Sequence, residues 1–152
     1  MEAQTTTIFT GEYRHTLDDK NRFTIPSAWR SSKGVGSSFL TIPQKDADGN
    51  RFIAVITPEK LATIRAKAEA IGITNIKHRQ KINRFISKVA DFSYDGQGRT
   101  TLSAEQRQHA GITREVVFVG SLDNFYIYNP ETWERISQPE EDDNDILAEL
   151  GI

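Results

Sequence analysis

Two aspartate–arginine pairs carry most of the chemistry this sequence offers. Asp18 stands four residues before Arg22, and Asp95 stands four residues before Arg99. At that spacing a carboxylate can accept the backbone N–H groups of a tight turn while the guanidinium returns a charge-assisted bond, which would staple the turn. Asp18 and Asp95 could instead form a carboxylate dyad for acid–base work, but each has its own Arg in a repeated turn, which favours ion-paired over titrating carboxyls. The bases have a second use. Arg14, Lys20 and Arg22 fall within nine residues, and from an exposed loop tip they could reach phosphates or guanine edges.

Other chemistry finds little support. His15, His78 and His109 are the only imidazoles and have no partner at metal-ligand spacing, so no metal site is expected. The chain has no Cys, which removes disulfides, thiol nucleophiles and thiolate clusters and fits a reducing, intracellular compartment. Gly34-Val35-Gly36 lacks the later Gly and Lys of a phosphate loop. Ser103 reads as a helix cap, not a nucleophile, and no Gly-x-Ser-x-Gly occurs. The expectation is a protein that is not an enzyme and needs no cofactor.

The elements that must position these residues come from an internal duplication. Leu17 to Pro26 aligns with Tyr94 to Ser103 at an offset of 77, Gly34 and Gly111 keep that offset, and Val55 to Glu59 aligns with Ile127 to Glu131 at an offset of 72. The first copy is thus five residues longer, an excess best placed in the loop from Pro43 to Asn50. Two copies are too few for a solenoid, so an intramolecular pseudo-dimer with one shared core is expected. In each copy an extended segment (Ile8 to Leu17, or Ala90 to Tyr94) enters the D-x-x-x-R turn and a short strand (Arg22 to Ile25, or Arg99 to Leu102) leaves it, which reads as a hairpin. Ser103 with Gln106 reads as a capping box for a helix that stops at Gly111, and Pro26 to Gly34 is its weaker counterpart. A second hairpin follows in each copy, Phe39 to Ile42 with Phe52 to Ile56 and Glu115 to Val119 with Phe125 to Tyr128, rich in β-branched and aromatic residues. Thr57-Pro58-Glu59 and Asn129-Pro130-Glu131 then start a helix in both copies. Between the copies, Pro58 to Ile71 and Thr74 to Val89 read as helices broken at Gly72. Ile82, Phe85, Ile86 and Val89 share an apolar face, and Lys77, Arg79, Lys81, Arg84 and Lys88 are assigned to the opposite face.

Charge is uneven along the 152 residues. The net charge of −2 excludes a uniformly basic binder, yet residues 137–152 hold six acids and no base, which leaves a mildly basic body. The tail reads as a solvated, frayed end, with opposition to an anionic ligand as its sharper reading. The longest stretch without charge, Gly34 to Gln44, is too short to cross a bilayer, and residues 1–11 lack the basic start and apolar core of a secretion signal.

The segment from Gly11 to Pro26, followed 77 residues later by Tyr94 to Ser103, resembles the paired D-x-x-x-R signature of the bacterial MraZ family, over about residues 8–136. That pattern places Gly before the first Arg where this chain has Asn21, a residue that also tolerates a left-handed turn. The resemblance implies an α+β, mainly β fold: a swapped-hairpin, AbrB-like β-barrel built from two repeats and flanked by helices. It divides the chain into a first half-repeat (8–72), a connecting basic helix (73–89), a second half-repeat (90–136) and, outside the resemblance, the acidic tail (137–152). It further implies a cytoplasmic, nucleoid-associated transcriptional regulator, a repressor, whose homo-oligomeric ring (an octamer favoured) reads tandem boxes in double-stranded promoter DNA of the division and cell-wall gene cluster. Lys20 and Arg22 match the first motif's bases and Arg99 the second's, while Arg14 is their neighbour on the same strand. Gln97 stands where Lys20 does, so the second turn ranks lower for DNA. The competing reading is an oligomeric protein-interaction or antitoxin-like module without specific DNA binding.

Overall fold

A computed structural model describes residues 7–30, 38–72 and 74–152. Gly34, which was aligned with Gly111, lies outside the described residues. The chain forms an α+β structure with a mainly antiparallel sheet. Strands β1 (Glu12–Thr16), β2 (Phe23–Thr24), β3 (Ser38–Lys45) and β4 (Arg51–Ile56) come from the first copy, followed by helices α1 (Pro58–Ile71) and α2 (Ile76–Ile86). The second copy supplies β5 (Ala90–Ser93), β6 (Arg99–Thr100), α3 (Ala104–Ala110), β7 (Glu115–Gly120), β8 (Phe125–Tyr128) and α4 (Pro130–Ile136), and α5 (Asp143–Glu149) closes the chain.

Six strands form one sheet in the order β1-β7-β8-β4-β3-β5, and β2 and β6 form a separate two-stranded sheet. The order reads alike from both ends once the copies are equated, β1 with β5, β7 with β3 and β8 with β4. Register repeats as well. His15 faces Val116 and Phe92 faces Phe39, each pair being the other displaced by one repeat. Every strand of one copy therefore pairs with a strand of the other, and the core is common to both: Phe9, Phe23, Trp29 and Phe39 pack with Phe92, Phe118 and Phe125, with the rings of Trp29 and Phe125 centred 4.8 Å apart.

The helix starts follow local chemistry. The side chain of Thr57 accepts the Lys60 N–H at the head of α1, that of Asn129 accepts the Thr132 N–H at the head of α4, and Pro58 and Pro130 occupy first-turn positions where a missing N–H costs nothing. Gly111 ends α3 in the left-handed conformation at φ 67°.

Several expectations are corrected. Among the described residues the strands do not close into a barrel: β1 and β5 are the edges of an open sheet, and β2 and β6 pair only with each other. Only half of the capping box forms, because Gln106 is buried and its carboxamide oxygen accepts from Thr41 Oγ, 2.9 Å away. The counterpart of α3 is a single 3-10 turn, Ser27–Trp29. The five extra residues lengthen the β3–β4 hairpin, since Pro43 to Lys45 continue the ladder and only Asp46 to Asn50 turn. The apolar face of α2 is largely uncovered, with Phe85 57% and Ile86 39% exposed. The tail is not frayed throughout, because Asp143–Glu149 forms a helix exposed along its whole length.

Candidate nucleic-acid interface

Both D-x-x-x-R turns are closed by the same bonds. Asp18 Oδ1 accepts the backbone N–H groups of Lys20 and Arg22 at 2.9 and 2.8 Å, and Asp18 Oδ2 accepts Arg22 Nε at 2.8 Å. Asp95 receives Gln97, Arg99 and Arg99 Nε at 2.9, 2.9 and 2.8 Å. The Arg22 backbone N–H does most to hold the Asp18 carboxyl below its usual range; burial opposes it, and the Arg22 guanidinium and the Lys20 N–H add to the lowering. Asp95 is lowered in the same way by Arg99. Each turn needs a left-handed residue before the Arg, supplied by Asn21 at φ 59° and Gly98 at φ 83°.

The strands that leave the turns are pinned by the core. Phe23 and Ile25 are fully buried on either side of Thr24, and the Phe23 ring lies 5.6 Å from that of Phe118. Arg22 is thereby fixed at the surface by the residue after it and by Asp18 four residues before it. Only Nε is engaged, so the two terminal nitrogens of Arg22 make no bond to any described residue. That leaves the outer edge of the guanidinium, the edge that binds a phosphate or a guanine in two-bond fashion, directed away from its own aspartate.

The two turns differ in charge. Arg14, Lys20 and Arg22 of the first copy are replaced one repeat later by Asp91, Gln97 and Arg99. Arg22 and Arg99 meet in one shallow, open depression with Asp91, Asp95 and Thr100, and its acids balance its bases. Arg14 and Lys20 stand outside that depression. Lys20 is exposed at the first turn's tip, and Arg14 lies on the edge strand β1, 3.7 Å from Glu12.

Two features were not read from the sequence. Arg30 lies across the second turn so closely that a Cβ on Gly98 would stand 2.6 Å from its Nη1, and Arg30 Nε is buried with no hydrogen-bond partner among the described residues. Arg30 and Arg107 keep the offset of 77, a signal that would have extended the repeat. Asp46 to Asn50 forms a third turn of the same design, with Asp46 accepting the N–H groups of Asp48 and Asn50 at 2.9 and 3.0 Å. Here Asn50 replaces the Arg, and Arg135 of α4 supplies a guanidinium from outside, 2.7 Å from Asn50 Oδ1. The fourth-position glycine shared by Asp46-Ala-Asp-Gly49 and Asp95-Gly-Gln-Gly98 is the sequence signal for it.

Among the described residues no helix is long and apolar enough to cross a membrane. Residues 86–149 match the family described as "MraZ protein, putative antitoxin-like"; the match runs through α5, so residues 137–149 of the tail fall inside it. The chain is 36% identical over 126 residues to the transcriptional regulator MraZ of Corynebacterium glutamicum, covering 83% of this chain and 84% of that protein. It is 32% identical over 152 residues to the protein of the same name from Lachnoclostridium phytofermentans, covering 95% and 99%. The corresponding protein of Ligilactobacillus salivarius is 30% identical over 145 residues, covering 95% and 97%.

Proposed function

The chain belongs to the MraZ family, and from that premise we propose that it is a transcriptional regulator that binds DNA in a sequence-specific manner. In this reading it represses the division and cell-wall gene cluster by binding tandem boxes in its promoter as a homo-oligomeric ring, an octamer favoured, in the cytoplasm and at the nucleoid. The observation that carries the reading is the contrast between the turns: one backbone design presents Arg14, Lys20 and Arg22 in the first copy and Asp91, Gln97 and Arg99 in the second. The first turn reads DNA, with Arg22 as the base-contacting residue and Lys20 and Arg14 on phosphates. The second turn, where Asp91 and Gln97 stand in place of Arg14 and Lys20, makes the weaker contact.

The pairing of β2 with β6 and of β1 with β7 supports an intertwined, swapped-hairpin arrangement of the half-repeats 8–72 and 90–136, joined through 73–89 and followed by the tail at 137–152. Each first turn carries few net charges and binds weakly alone. A ring places one such turn per subunit along repeated boxes, and linked contacts multiply in effective affinity. A labelled promoter fragment from the source genome tests this: a salt-sensitive shift that unrelated DNA does not compete away is expected, and equal shifts of unrelated DNA would contradict it.

The exposure of Phe85 and Ile86 on α2 favours a second reading, an antitoxin-like module whose main partner is protein. It requires a protein complex to form in the absence of any specific DNA shift.

A further inference from the structure

Helices α2 and α5 are complementary, and each leaves large apolar side chains in solvent. In α2, Ile82, Phe85 and Ile86 form an apolar face by helical spacing, and Lys77, Lys81 and Arg84 form a basic stripe along one flank; Arg79 falls on the other flank rather than with that stripe. No acid occurs between Glu69 and Asp91. In α5, Ile146, Leu147 and Leu150 form the apolar face, and Asp145 and Glu149, one turn apart, form an acidic stripe beside Ile146. No base occurs after Arg135. Ile146, Leu147 and Leu150 are 54%, 41% and 65% exposed, and an acidic, merely solvating tail has no need of such residues.

We propose that α5 of one copy docks on α2 of a neighbouring copy, the apolar faces packing together while Asp145 and Glu149 pair with Lys81 and Arg84. Within one protomer Phe85 and Ile86 of α2 and the face of α5 stay in solvent, and Ile82 is only half-buried, so fuller burial belongs to the assembly. Opposite charge along matched flanks fixes which helix meets which and disfavours α2 on α2, where like charges would face each other. The tail then becomes a strap between subunits. This inference rests on the homo-oligomer reading above and assigns the segments that make one of its contacts.

Thiol cross-linking tests it, because the chain has no cysteine of its own. Two copies with tags of different size are co-expressed, one with Ser87→Cys at the end of α2 and the other with Ala148→Cys on the polar side of α5, and treated with a flexible bis-maleimide. A mixed-size product is expected. Lys81→Glu with Arg84→Glu on the first copy should lower its yield several-fold, and Asp145→Lys with Glu149→Lys on the second should restore it. Absence of the mixed product, a link confined to one chain carrying both thiols, or a yield indifferent to the charge reversals would overturn the proposal. Light scattering of the unmodified protein keeps the premise separate: a monomeric mass refutes the oligomer, whereas an oligomer without the link refutes this contact alone.

Discussion

Phe23 pairs with Thr100 across the β2–β6 ladder, and the two residues are the same position of the two copies. Ala54 and Tyr126 are likewise equivalent and face each other between β4 and β8. An approximate two-fold axis therefore runs through both pairs, and each hairpin is completed by the other copy. The polar turns sit at the two ends of the short central ladder, so the buried Phe23 ring that closes the core also sets where Arg22 emerges.

Neither copy should fold alone as a monomer, since β1, β3 and β4 find partners in β7, β5 and β8. A fragment of residues 90–152 is expected to be unfolded by near-UV circular dichroism or to self-associate by light scattering. A folded monomeric fragment would show that the copies are independent units.

The second turn depends on its glycine. Gly98→Ala forces a side chain at φ 83° and against Arg30, and should cost about 1–3 kcal/mol. Asn21→Gly, at φ 59° in the first turn, should change stability by less than about 1 kcal/mol. Chemical denaturation distinguishes the two, and equal losses would contradict the steric argument.

Asp95 supports a turn read here mainly as structural. Asp95→Ala should lower the melting temperature by a few degrees while changing operator affinity less than threefold. Its carboxyl, like those of Asp18, Asp46 and Asp123, is held below 3.8 in the folded state. The stability these groups contribute is thus fully present above the unfolded value and is lost as pH falls through the lowered folded values. Melting temperature should be flat in their respect from neutral pH to about pH 5 and fall below pH 3.8, and the gap between wild type and Asp95→Asn should close over that acid range. A gap that widens on acidification would contradict the assigned sign.

The equivalent arginines should part company. Arg22→Ala is expected to weaken specific DNA binding at least tenfold, and Arg99→Ala distinctly less, because the first turn is flanked by Arg14 and Lys20 and the second by Asp91 and Gln97. Both variants should melt within a few degrees of wild type, since partly exposed ion pairs contribute little. Equal loss of binding would assign both turns to the DNA.

Local sequence signals correspond to local structure. Thr57-Pro58 and Asn129-Pro130 mark helix starts because a cap involves only four neighbouring residues. The duplication was legible from the D-x-x-x-R turns, but the pairing of β1 with β7 was not legible from the residues alone, since it depends on packing around Phe9, Trp29 and Phe125. Periodicity identified the apolar face of α2 without saying what covers it. In the tail, Ile146, Leu147 and Leu150 show helical spacing beneath the run of acids, but spacing does not tell a packing face from a solvated one. The closed barrel came with the family resemblance, and no strand pattern in this chain required it.

The central claim is that the first-copy turn reads a repeated promoter box, and sequencing the genomic fragments retained by the full-length protein and by Arg22→Ala at the same salt concentration tests it most directly. The wild-type pool should be enriched in one fragment class carrying a short box in tandem, upstream of division and cell-wall genes, and the Arg22→Ala pool should lack that enrichment. Wild-type fragments with no common repeat, or an unchanged pool from the variant, would contradict the account.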